Sequence, residues 1–189
     1  MWSSRLFRLL ILSLPATLAL AGSGELAPAD VLENVLDVVR ADWNADGVLD
    51  RAVLWQPQAG ADLANLYVFL SGAAGGRVVA SGVAWSRLGS EEAWLEPDRR
   101  GFGVLSGGLS GKTRWQEGLM IAFENGVPRV VGYSYHSWDP AAPEQGFVCT
   151  ADFAAGKGSR NGAAFAIAGG TIPLTGWSYE RIPPPCRAR

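Results

Sequence analysis

The sequence predicts an all-β domain, a curled antiparallel sheet or β-sandwich of about nine strands, and three observations carry that expectation. Short runs of β-branched, aromatic and aliphatic residues alternate with glycine, asparagine or proline roughly every ten residues. Asn125-Gly126 falls between two such runs, and both residues tolerate the positive φ of a hairpin turn. Alternation is legible in GYSYHSWD, where Tyr133, Tyr135 and Ser137 share one face and Ser134, His136 and Trp138 the other. Nine strands is close to the number at which a sheet must curl or fold onto itself.

The chain opens MWSSRLFRLLILSLPATLALAGSG. Arg5 and Arg8 precede an apolar run over residues 9–21 that only Ser13, Pro15 and Thr17 interrupt. A membrane span needs about 20 apolar residues, so residues 1–21 read as a secretory signal cut before Gly22. No cysteine follows the cut, so no lipid anchor is expected. Residues 22–189 are then one β-rich domain, periplasmic or secreted, with no membrane span in the mature chain. With 16 basic against 18 acidic residues and no basic run, nucleic acid is not an expected partner. The two cysteines, Cys149 and Cys186, lie in the exported part, where an oxidising compartment favours one disulfide closing the tail RIPPPCRAR onto a strand.

Residues 31–39 read two ways. Val31, Leu32, Val35, Leu36 and Val39 would line one face of a short helix that starts near Pro28 and Asp30, but VLDVVRA also suits a strand entering the next loop. The strand is preferred. The runs that follow are RAVLWQ, ANLYVFLS, RVVASGVAW, AWLEP, GFGVLSG, TRWQEGLMIAF, PRVVGYSYHSW, FVCTADFAAG and AAFAIAG. FLSGAAGGRVV and LSGGLSGKTRW read as looser, glycine-rich hairpin loops.

The stretch that points most clearly at chemistry is DWNADGVLD, residues 42–50. Side-chain oxygens come from Asp42, Asn44, Asp46 and Asp50, at loop positions 1, 3, 5 and 9, and Gly47 sits at position 6. Calcium takes about six to eight oxygen ligands, carbonyls included. Odd positions of a tight loop converge, Gly47 permits the sharp turn, and the Val48 carbonyl adds a main-chain oxygen. A bidentate glutamate at position 12 would make an EF-hand, but Val53 stands there. The alternative is a polar turn in which Asp, Asn and Gly satisfy their own backbone.

ADWNADGVLDRAVLW resembles the FG-GAP or VCBS-type repeat, an Asp-x-Asp/Asn-x-Asp-Gly-x-x-Asp loop leading into a hydrophobic strand, familiar from integrin-type β-propellers. The resemblance implies β-hairpin structure and Ca2+ held by Asp42, Asn44, Asp46 and Asp50. It covers about fifteen residues, and a propeller of at least four blades does not fit a chain with one motif. A small β-domain carrying one such loop does.

Other candidates carry less. GKGSRNG lacks the Gly-x4-Gly-Lys-Ser/Thr spacing of a phosphate loop and reads as a hairpin displaying Lys157 and Arg160. Ser106 and Ser110 have no partnered base nearby in sequence, and the single histidine, His136, sits beside an aromatic, so no catalytic residue is assigned. Trp43, Trp55, Trp85, Trp94, Trp115, Trp138 and Trp177 fill a core or form an exposed row for a carbohydrate or protein ligand. Trp43, between two loop ligands, is expected to be exposed. The leading expectation is an exported, non-enzymatic binding or envelope-associated domain with a structural calcium loop. The alternative is a small periplasmic hydrolase or carbohydrate-binding module that uses the acids between Glu91 and Asp98 and nearby tryptophans.

Overall fold

The computed structural model describes residues 34–56, 64–71, 77–85 and 92–187, with 77–85 as backbone alone. The signal read at 1–21, the connection at 72–76 and Glu91 lie outside the described residues. Among the described residues twelve strands form: β1 Val35–Ala41, β2 Asp50–Trp55, β3 Ala64–Leu70, β4 Arg77–Trp85, β5 Glu92–Asp98, β6 Gly101–Ser110, β7 Thr113–Glu124, β8 Val127–Asp139, β9 Ala142–Asp152, β10 Lys157–Arg160, β11 Ala163–Ala166 and β12 Ile172–Pro173. Each of the nine runs seen in the sequence supplies a strand, although FVCTADFAAG turns after Asp152 and AAFAIAG leaves its strand after Ala166, and VLDVVRA is a strand as well. The two that composition concealed are β10, whose KGSR has no apolar residue, and the two-residue β12.

Both sheets are antiparallel meanders. The first has the order β1-β2-β3-β4; the second runs β11-β10-β9-β8-β7-β6-β5, with β12 beside β8. Tight turns explain why sequence neighbours pair. Asn125 and Gly126 take φ of 53° and 72°, and Asn161 and Gly162 take 47° and 83°, the left-handed backbone of two-residue hairpins. Two expectations are corrected here. The β6–β7 connection is a tight turn at Gly111 and Lys112, because Ser110 pairs with Thr113, and Gly107 and Gly108 lie inside β6. In GKGSRNG the turn is Asn161-Gly162, while Lys157 and Arg160 belong to a strand paired with both β9 and β11.

Alternation places one core between the sheets. β3 buries Ala64, Leu66, Val68 and Leu70 at every second position, facing Phe102, Val104, Leu119 and Ile121 from β6 and β7. On β8 both Val130 and Tyr133 are buried although three residues apart. The ladder slips by one residue between Met120 and Ile121, so Val131 is extra on β8 and the face is restored. The carbonyl of that residue accepts the Phe153 amide at 2.9 Å. The tail covers one end of the core with buried Leu174, Trp177 and Ile182, and the Cys149–Cys186 disulfide fixes it to β9. Among the described residues, no helix is long and apolar enough to cross a membrane.

Candidate functional site

DWNADGVLD is the connection of the β1–β2 hairpin, closed by the Ala41 and Asp50 pair. Its backbone needs two left-handed residues. Gly47, at φ 85°, is suited to this, and a Cβ there would touch nothing, so the requirement is conformational rather than steric. Ala45, at φ 60°, is an L-residue in the same region, which costs about 1 kcal/mol and must be held by the bonds around it.

Those bonds come from the loop's own carboxylates and amide. Asp42 accepts the amides of Asp46 (3.0 Å) and Gly47 (2.9 Å) on its two oxygens. Asn44 Oδ1 accepts the Asp46 amide at 3.0 Å, and Asn44 Nδ2 donates to Asp46 Oδ2 and to the Ser71 carbonyl. Asp46 Oδ1 accepts the Val48 amide at 2.8 Å. Asp50 is only 1% exposed, and its carboxylate accepts four donors: Trp43 N, Asn44 N, Ser71 N and Ser71 Oγ. A buried carboxylate is tolerated when hydrogen bonds replace its lost water, and these do.

The structure separates the four residues expected to close on one centre into two pairs, Asp42 with Asn44 and Asp46 with Asp50. Asp42 and Asn44 face the loop's own amides, and no group of three or more His, Cys, Asp or Glu side chains gathers as a metal site among the described residues. A smaller cluster does form, and its pivot is Ser71, which sequence reasoning missed. The hydroxyl of Ser71 lies 3.2 Å from both Asp46 carboxylate oxygens, 3.1 Å from the Val48 carbonyl and 2.8 Å from Asp50 Oδ1. All four are acceptors, and one hydroxyl has one hydrogen to give. Most of these oxygens therefore meet Ser71 lone pair to lone pair, which is the arrangement a hard cation relieves. Ser71 reaches the loop because β3 pairs with β2 in the register Arg51 to Phe69, carrying the end of β3 past Asp50. Only that long-range register could have revealed it.

Trp43 corrects the exposure assigned to it. Its indole stacks on Phe123 (4.9 Å between centroids, 8° between planes), packs against Phe102 at 5.1 Å and donates to the Gly101 carbonyl at 3.2 Å. A large aromatic beside a polar loop gains more by covering the open end of the core than by facing water. The loop is thereby bolted to β6 and β7 of the other sheet.

The remaining candidates separate clearly. Glu92, Glu96 and Asp98 alternate along β5 on its outer side, all exposed. Ser106 is buried in the core, and its hydroxyl has no hydrogen-bond partner. His136 stacks on Trp138 at 4.5 Å on the exposed side of β8. No family model matches the chain, and no curated protein or solved structure matches it either.

Proposed function

We propose that this protein is an exported, non-enzymatic binding domain whose β1–β2 loop is held by a structural calcium ion. The observation that carries this reading is the crowding of four acceptor oxygens around Ser71 Oγ. Asp46, Asp50, the Val48 carbonyl and Ser71 would hold the ion, and Asp42 and Asn44 brace the loop around it by accepting its own amides. Bound calcium would supply the positive charge that three aspartates within nine residues otherwise lack. The consequence is mechanical. A fixed loop fixes Trp43, and Trp43 ties the first sheet to β6 and β7. The disulfide supports an oxidising compartment, consistent with the leader-like start of the chain.

Calcium titrated calorimetrically into metal-free protein tests the reading, with the melting temperature followed in parallel. About one ion should bind, and a hundredfold excess over Kd should add about 2.7 kcal/mol, roughly 5–10 °C for a chain of this size. Asp46→Ala and Ser71→Ala should each abolish most of that rise. No heat and no thermal shift at millimolar calcium would reduce the loop to a self-capped polar turn. The hydrolase alternative has less support, because the β5 acids are spread along an exposed strand and do not converge in a cleft.

A further inference from the structure

The outer face of the eight-stranded sheet carries a second constellation, at the end of β6 remote from the calcium loop. From Gly101, beside Trp43, to Gly107 is six residues of strand, about 20 Å. Here a groove of about 330 Å³ is lined by Glu92 and Trp94 of β5, Gly107 of β6, Arg114 and Gln116 of β7, and Trp138 of β8. Pocket volumes of about 300–1,000 Å³ are typical of ligand sites.

We propose that this groove binds a neutral oligosaccharide. The proposal rests on the reading of the protein as a binding domain and names the ligand class and the site.

Three features select that chemistry. First, two indoles bound the groove, each half-buried and each braced. The Trp94 ring lies over Gly107, where a Cβ would come within 3.7 Å of it. Trp138 stands against the His136 ring at 28° between planes. Braced aromatic faces are platforms for the C–H faces of sugar rings, and they lose little entropy on binding. Second, Gly107 and Gly108 of β6 line the groove without side chains, so a sugar ring can approach the backbone closely beside Trp94. Third, the polar groups balance. Glu92 and Arg114 carry opposite charge and Gln116 offers both donor and acceptor, so the site pairs hydroxyls without selecting an ion of either sign. β5 and β8 are three strand spacings apart, about 14 Å, so the two platforms rise from opposite sides of the groove.

The test is titration of the purified protein with maltohexaose, cellohexaose and chitohexaose, followed by tryptophan fluorescence and calorimetry. At least one should give saturable binding with Kd of about 1 mM or tighter. Trp94→Ala and Trp138→Ala should each weaken that binding about tenfold, with Gln116→Ala weakening it less. Trp138 and Gln116 lie on the exposed sheet face, so their variants keep the test valid if Trp94→Ala fails to fold; melting curves report which variants are folded. The proposal is overturned if no sugar gives a saturable response up to about 10 mM. It is equally overturned if binding occurs but folded Trp138→Ala and Gln116→Ala leave it unchanged. Measuring in calcium and in chelator separates the two readings. A calcium-dependent rise in melting temperature without sugar binding removes the groove and leaves the loop standing.

Discussion

Asp50 organises the loop more than any other single residue. Its buried carboxylate serves the amides of Trp43, Asn44 and Ser71, three backbone donors that the closed loop takes partly out of water. Asp50→Ala leaves all three without that acceptor and should cost about 3–5 kcal/mol, read from urea unfolding. Asp50→Asn keeps one acceptor oxygen and should cost less. A loss under about 1 kcal/mol for the alanine variant would mean that water replaces the carboxylate and that the loop is not built around it. At this scale the sequence showed the four oxygen-bearing side chains and Gly47 in register. It did not show that Asp42 and Asn44 turn to the loop's own amides, because capping and coordination draw on the same residue types. Nor did it show Ser71, which is distant in sequence.

The strands themselves were largely legible, since each depends on local alternation and on glycine or asparagine at its turns. The exceptions are instructive. β10 has no apolar residue to announce it and exists because β9 and β11 flank it; Gly108 reads as a loop residue but is held in β6 by pairing with Trp115. Among elements, the C-terminal tail has the clearest energetic role. It contains only short 3-10 turns, so it draws stability from Leu174, Trp177 and Ile182 in the core and from the disulfide. Trp177 stacks on Tyr133 at 6.5 Å and meets Phe153 edge-on at 5.9 Å. The bond spans 37 residues, and on the chain-entropy model a loop of that length contributes about 3–4 kcal/mol. Replacing both cysteines with alanine should lower stability by that amount in denaturant unfolding. An unchanged midpoint would show that tail packing alone suffices.

For the molecule as a whole, the question is how two separate meanders become one body. β1 runs beside β5 without a backbone ladder among the described residues. A side chain bridges the seam: the register of β1 shifts between Val35 and Asp37, and Asp37 Oδ2 accepts the Leu95 amide of β5 at 2.8 Å while Oδ1 accepts the Val38 amide. Trp43 forms the second tie, at the loop end. Asp37→Ala should destabilise the protein by about 1–3 kcal/mol and, more specifically, raise the exchange rate of the Leu95 amide above that of β6 amides. Uniform exchange across β5 and β6 in the variant would show that the carboxylate does not hold the seam.

By itself the sequence determined the class of fold, most strands, the Asn125-Gly126 turn, the acidic loop and a cysteine pairing with a single possible partner. These follow from chemistry within a few residues: side-chain alternation, positive φ at Asn and Gly, and the acceptor oxygens of Asp. Tertiary structure decided what faces what. It brought Ser71 to the loop, laid Trp43 against the core, and placed Trp94, Gly107, Gln116 and Trp138 around one groove. Each of those outcomes depends on strand register and sheet packing, which join residues tens of positions apart and are fixed only when both faces of the sheet are in place.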